Sequence, residues 1–92
     1  MADINITRNH KIEMETLKLR VEELAADLKK KFSLSYSWSG NTCKLTGAGI
    51  KNAEVKLNSD NVTIEITLGM LARMLKPKIE DEINKKIGKV LS

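Results

Sequence analysis

Between Phe32 and Leu68 the chain alternates apolar and polar residues through four successive runs, and no other feature constrains its fold as strongly. Phe32, Leu34, Tyr36 and Trp38 interleave with serines, and Cys43 and Leu45 with Thr42, Lys44 and Thr46. Ala53, Val55 and Leu57 interleave with Glu54 and Lys56, and Val62, Ile64, Ile66 and Leu68 with Thr63, Glu65 and Thr67. Side chains of a strand change face at each residue, so the pattern specifies a sheet with one buried and one wet face. Gly40-Asn41 and the stretch Asn58 to Asn61 supply turn chemistry between runs. Residues 48–52 make the middle connection, with Gly47 and Gly49 marking a bend or bulge. Four strands joined by such short loops form an antiparallel meander.

Outside this region the period changes. Ile4 and Ile6 flank Asn5 and read as a short first strand. From Lys11 to Lys31 the residues Met14, Leu17, Val21, Leu24, Ala25 and Leu28 recur mostly at steps of three and four, which places them on one stripe of a helix. Asn9 is the expected cap, and Lys29, Lys30 and Lys31 suit the negative end of the helix dipole. The segment Gly69 to Leu91 carries a second stripe, formed by Leu71, Met74, Leu75, Ile79, Ile83, Ile87 and Leu91. Pro77 interrupts it, and because proline has no amide proton and its ring meets the carbonyl four residues back, a kink is expected there, with one bent helix or two abutting ones following the sheet.

The order strand, helix, four strands, helix buries every stripe only if both helices cover the apolar face of the sheet. The expected fold is therefore α+β, a single domain over residues 1–92: a two-layer β-α-β-β-β-β-α sandwich with its second helix kinked at Pro77. If the first strand joins the fifth, the antiparallel sheet has the order 1-5-4-3-2, a reduced helix-grip arrangement. Parallel pairing of the first strand with the second is the competing topology.

At 92 residues, a domain buries roughly 60 to 65% of its unfolded surface, so a large internal ligand cavity would compete with stability. The single cysteine, Cys43, permits no internal disulfide, and its parity points it inward as a small hydrophobe. The first residues, Met1 to Asn5, have neither the basic start nor the apolar run of a signal peptide, and no segment reaches the roughly 18 to 20 apolar residues of a membrane span; a cytoplasmic protein is expected. The net charge is +4, but acids are mixed among the lysines over most of the length, and the exposed sheet face offers no aromatic platform. Nucleic acid is thus a disfavoured partner.

Few residues suggest chemistry. One His and one Cys do not make a zinc site of the usual kind, and neither a metal nor another cofactor is expected. Nucleophilic catalysis by Cys43 would need His10 beside it and a thiolate-favouring site, whereas the apolar layer raises a thiol pKa. Glu80, Asp81 and Glu82 diverge on a helix and do not form an acid and base pair. Gly47-Ala48-Gly49 is too short for a phosphate-cradling loop. The basic side of the second helix, with Lys76, Lys78, Lys85, Lys86 and Lys89, is the expected interaction surface, one that could rest on an anionic surface. The stripe of the first helix could seat a partner helix, although the sheet needs the same cover. The strand from Phe32 to Ser39 is an expected edge that could pair with its twin in a homodimer.

Ile4-Asn5-Ile6 followed by Arg8 and His10, then Phe32, Tyr36-Ser37-Trp38, Gly47-Ala48-Gly49-Ile50, Leu68-Gly69 and Ile79-Glu80-Asp81-Glu82-Ile83, resembles in this order the small bacterial family of polyhydroxyalkanoic acid system proteins. Asn41 and Lys51-Asn52 depart from that pattern, which commonly has a glycine and an aspartate in the first hairpin turn and another glycine after the Gly47 region. The family is associated with gene regions for storage-polyester granules, and the resemblance implies no catalytic residues; Arg8 and His10 are the family-typical polar positions. The expectation is a non-catalytic accessory or binding protein whose partner is a granule surface or a granule-associated protein. A small acyl-binding domain of helix-grip type and a basic nucleic-acid-binding regulator are the alternatives.

Overall fold

The computed structural model describes residues 3–47, 49–70 and 72–91. Met1 and Ala2 of the N-terminal run, Ala48 of the middle connection and Leu71 of the second stripe lie outside the described residues. The elements are β1 (Ile4–Asn9), α1 (Met14–Phe32), β2 (Ser35–Ser39), β3 (Thr42–Gly47), β4 (Ile50–Leu57), β5 (Asn61–Leu68), a 3-10 turn (Ala72–Leu75) and α2 (Lys76–Leu91). The sheet has the order β1-β5-β4-β3-β2 with every pairing antiparallel, which decides between the two topologies open to the first strand. β1 takes its place beside β5 with Ile4 opposite Ile66 and Ile6 opposite Ile64.

That register puts the isoleucines of both strands on one face, where Val62, Ile64, Ile66 and Leu68 are buried in strict alternation. α1 supplies Leu17, Val21, Ala25 and Leu28 to the same layer, and α2 supplies Ile87 and Val90. Each fully buried aliphatic side chain contributes about 1.5–3 kcal/mol through loss of water contact, and Ile4, Leu17, Leu68 and Ile87 are the largest of these. The stripe of α1 is thus spent on the sheet, while Leu19 on its outer side is exposed.

Three local expectations are corrected. Phe32 does not open β2: α1 runs through it and stops at Ser33, whose left-handed backbone (φ 55°) ends the helix and turns the chain so that Leu34 enters the core. Phe32 therefore shares a parity with Leu34 by coincidence and is about half exposed. Asn9 is not the cap of α1; it pairs with Asn61, which extends β1 to residue 9. The residue preceding α1 is Glu13, whose side chain makes no capping bond. In the middle connection, Ile50, Lys51 and Asn52 belong to β4, where a register shift between Ile50 and Asn52 leaves Lys51 as the extra residue of a bulge. The segment after β5 is two abutting helical pieces, one of the two arrangements expected for it, with the 3-10 turn giving way to α2 one residue before Pro77. Pro77 is the second residue of α2, in the first turn, where a missing amide proton removes no helical bond.

Gly69 joins β5 to the 3-10 turn under a tight constraint. Its amide donates to the carbonyl of Gly49 at 2.7 Å, and a Cβ on Gly69 would lie 2.7 Å from that same oxygen. Only glycine allows this approach, which ties the β3–β4 connection to the start of the second helical segment.

Candidate functional site

Where both helices cover the sheet, their apolar residues do not fill the space between them. The result is a cavity of about 450 Å³ walled by Leu24, Leu28 and Phe32 of α1, by Ala72 and Leu75 of the 3-10 turn, and by Ile79, Glu82 and Ile83 of α2. Leu45, Ile50, Ala53, Val55, Ile64 and Ile66 form its floor on the sheet, with Leu34 and Gly49 at the side. Small residues make the room: Ala53, Ala72 and Gly49 stand where larger side chains would close it. Glu82 is the one charged residue of the lining, and its carboxylate lies 3.9 Å from Lys86. Such a space shields hydrocarbon from water and offers polar contact only at one carboxylate.

An ion-pair clasp joins the helices close to this space. Lys86 of α2 donates to Asp27 of α1 at 3.0 Å, and Lys31 lies 3.6 Å from the same carboxylate. The bond from Lys86, with the charge of Lys31, holds Asp27 below the ordinary carboxylate value, and the bond to Asp27 raises Lys86 above the ordinary lysine value. At the far end of α2, Arg20 donates to the carbonyl of Val90 at 2.9 Å and so ties α1 to the last turn of α2.

The remaining expected site residues are dispersed. Lys86 is turned into the clasp, with only 15% of its side chain exposed, whereas Lys76, Lys78, Lys85 and Lys89 are exposed. At about 100° per residue, Lys78, Lys85 and Lys89 fall on the outer face of α2 and Lys76 does not, so the five lysines do not form one surface. Lys85 pairs with Asp81 at 3.3 Å. Arg8, on the core side of β1, reaches Asn84 of α2 at 2.6 Å. His10 is buried and satisfied on both nitrogens: Nδ1 accepts from the amide of Ile12 at 3.0 Å and Nε2 donates to the carbonyl of Asn58 at 2.8 Å. These partners assign the Nε2–H tautomer and make His10 a strut between the β1–α1 and β4–β5 loops.

Trp38 and Tyr36 lie on the core side of β2 but are half-buried, because β2 is an edge strand covered by α1 alone. Glu22 of α1 accepts from the Trp38 indole at 2.5 Å and from the Tyr36 hydroxyl at 3.1 Å, and the Lys18 ammonium sits 5.3 Å from the Trp38 ring. Neither aromatic lines the cavity. Cys43, fully buried opposite Trp38, has its thiol pushed up to about 11 by burial and by the charge of Glu22. Among the described residues no group of His, Cys, Asp and Glu is placed to hold a metal ion, and no helix is long and apolar enough to cross a membrane.

A cavity was reached from the sequence only through the helix-grip alternative, with none of its lining named. Its wall residues were legible as apolar, but whether they meet or stand apart depends on where the helices land on the sheet. A hint was available in the small residues Ala53 and Ala72 at core-facing positions.

No curated protein and no solved structure matches the chain. The family model described as "Putative polyhydroxyalkanoic acid system protein" matches residues 4–91, from the first residue of β1 to the last of α2, and so spans every wall of the cavity as well as Arg8 and His10. By that match the chain belongs to the polyhydroxyalkanoic acid system protein family.

Proposed function

We propose that this protein is a non-catalytic accessory protein of the polyhydroxyalkanoate granule system that holds an aliphatic acyl chain between its helices and its sheet. The observation that carries the reading is the cavity of about 450 Å³, apolar on every side except at Glu82. Its volume falls within the range of small-molecule sites. The non-catalytic part is supported by the two residues most suited to chemistry: both ring nitrogens of His10 are occupied by backbone groups, and Cys43 is a buried, protonated thiol. The granule setting is supported by the family alone.

Displacement of an environment-sensitive apolar dye by saturated fatty alcohols of increasing length tests the binding. Each methylene buried in the cavity contributes about 0.8 kcal/mol, so affinity rises roughly fourfold per carbon until the space is filled. The variant Ala53→Phe, which places a ring in the cavity floor, abolishes displacement. A dye signal indifferent to chain length, or unchanged in Ala53→Phe, would overturn the reading. Sedimentation with purified polyester granules tests the setting separately, and protein left wholly in the supernatant would count against it.

A further inference from the structure

The end of the molecule that holds the cavity mouth differs from the rest in both charge and exposure. Antiparallel pairing brings the start of β1, the start of β2, the β3–β4 connection and the end of β5 to this end, together with the last turn of α1 and the first turn of α2. No acid occurs in residues 28–53 or 66–79, while Lys29, Lys30, Lys31, Lys51, Arg73, Lys76 and Lys78 all fall within those stretches at this end. Asp3 bridges Arg73, and Asp27 bridges Lys31; Lys30, Lys51, Lys76 and Lys78 are exposed. Among these cations stand the two most exposed large apolar side chains of the described residues, Met70 at 85% and Met74 at 82%, together with Leu75 at 56% and Phe32 at 47%.

Exposed thioethers and an aromatic ring inside a cationic rim are costly in water and have one chemical complement, an anionic amphiphile whose headgroups meet the lysines while its chains receive the apolar side chains. We infer that this end docks on an anionic phospholipid surface, with Met70, Met74 and Leu75 entering the acyl boundary and Lys30, Lys51, Lys76 and Lys78 at the headgroups. A protein partner would need a shaped apolar counterpart, whereas a lipid layer accepts flexible methionines without one. Docked in this way, the protein turns the cavity mouth toward the layer, since Phe32 and Leu75 belong to both the exposed patch and the lining. Docking itself does not depend on whether the cavity takes a chain.

The test is co-flotation of the intact protein with vesicles of phosphatidylglycerol or of phosphatidylcholine. The expected result is binding to the anionic vesicles at least tenfold stronger than to the zwitterionic ones, weakened by added salt. Met70→Glu combined with Met74→Glu, two positions outside the cavity lining, reduces binding at least tenfold while leaving dye displacement by fatty alcohols intact. Lys76→Glu with Lys78→Glu does the same. Leu19→Glu, on an exposed leucine of α1, leaves flotation unchanged, and circular dichroism confirms that each variant is folded. Absence of binding to the anionic vesicles, equal binding to both lipids, or full binding by the folded Met70/Met74 variant would each overturn the inference. Lost dye displacement with retained flotation would instead overturn only the cavity reading.

Discussion

At the scale of single residues, two backbone positions show how local sterics set the ends of elements. Ser33 ends α1 at φ 55°, a conformation in which an L side chain crowds the neighbouring carbonyl. Ser33→Gly relieves that crowding and is expected to raise unfolding stability by about 1 kcal/mol. Gly69 is the opposite case: Gly69→Ala would push a methyl against the carbonyl of Gly49, which cannot move without breaking the bond it accepts from Gly69. It is expected to cost about 1–3 kcal/mol, and urea unfolding of the two variants measures both signs. Glu22 makes a third prediction. Its bond and charge, with burial, raise the Tyr36 hydroxyl above the ordinary tyrosine value of 10.0. Because the chain has one tyrosine, ultraviolet titration reads that group alone, and Glu22→Gln is expected to shift the transition down toward the ordinary value. An unchanged titration would remove Glu22 as the cause.

At the scale of elements, the clasp between α1 and α2 gives the molecule a pH signature. Asp27 titrates below its ordinary 3.8 in the fold, so its stabilisation is present above that value and is lost as pH falls through the lowered one. Lys86 titrates above its ordinary 10.5, so its stabilisation is fully present below 10.5 and is lost as pH rises through the raised value. Asp27→Asn is therefore expected to lower the urea midpoint by a roughly constant amount between these limits, with the difference closing at both extremes and shrinking in high salt, since the Asp27 side chain is 43% exposed. The clasp also shows where sequence reading stops. Period-two and helical patterns identified the five strands and the two helical segments, because burial parity is a local property of each run; they left β1 between two pairings, because no local pattern reports which strand it joins. Partners such as Asp27 with Lys86, or Arg8 with Asn84, are separated by 59 and 76 positions, and no local pattern reports them. The same limit explains Phe32. Its parity matched the strand that follows, but the left-handed Ser33 resets the chain direction, and serine gives little advance sign of that conformation.

At the scale of the whole molecule, the cavity and the basic end lie together: the sheet is covered by two helices that meet at the clasp, and past it the 3-10 turn, opened by the small Ala72, stands in place of a continuous helix. A cavity of about 450 Å³ in a chain of 92 residues runs against the expectation that so small a domain has no volume to spare. The conflict turns into a measurement. A ligand that binds only the folded state at a hundredfold excess over its Kd adds about 2.7 kcal/mol, which for a domain of this size raises Tm by about 10–20 °C. A saturating fatty alcohol is expected to produce such a shift in the wild type and none in Ala53→Phe. The variant's own Tm distinguishes the physical states. If the space is open in solution, the ring replaces absent contacts and Tm rises; if the helices close over it, the same ring overpacks the core, costs about 1–3 kcal/mol and lowers Tm. A rise without ligand, together with loss of the ligand shift, is the outcome that a cavity built to hold an acyl chain requires.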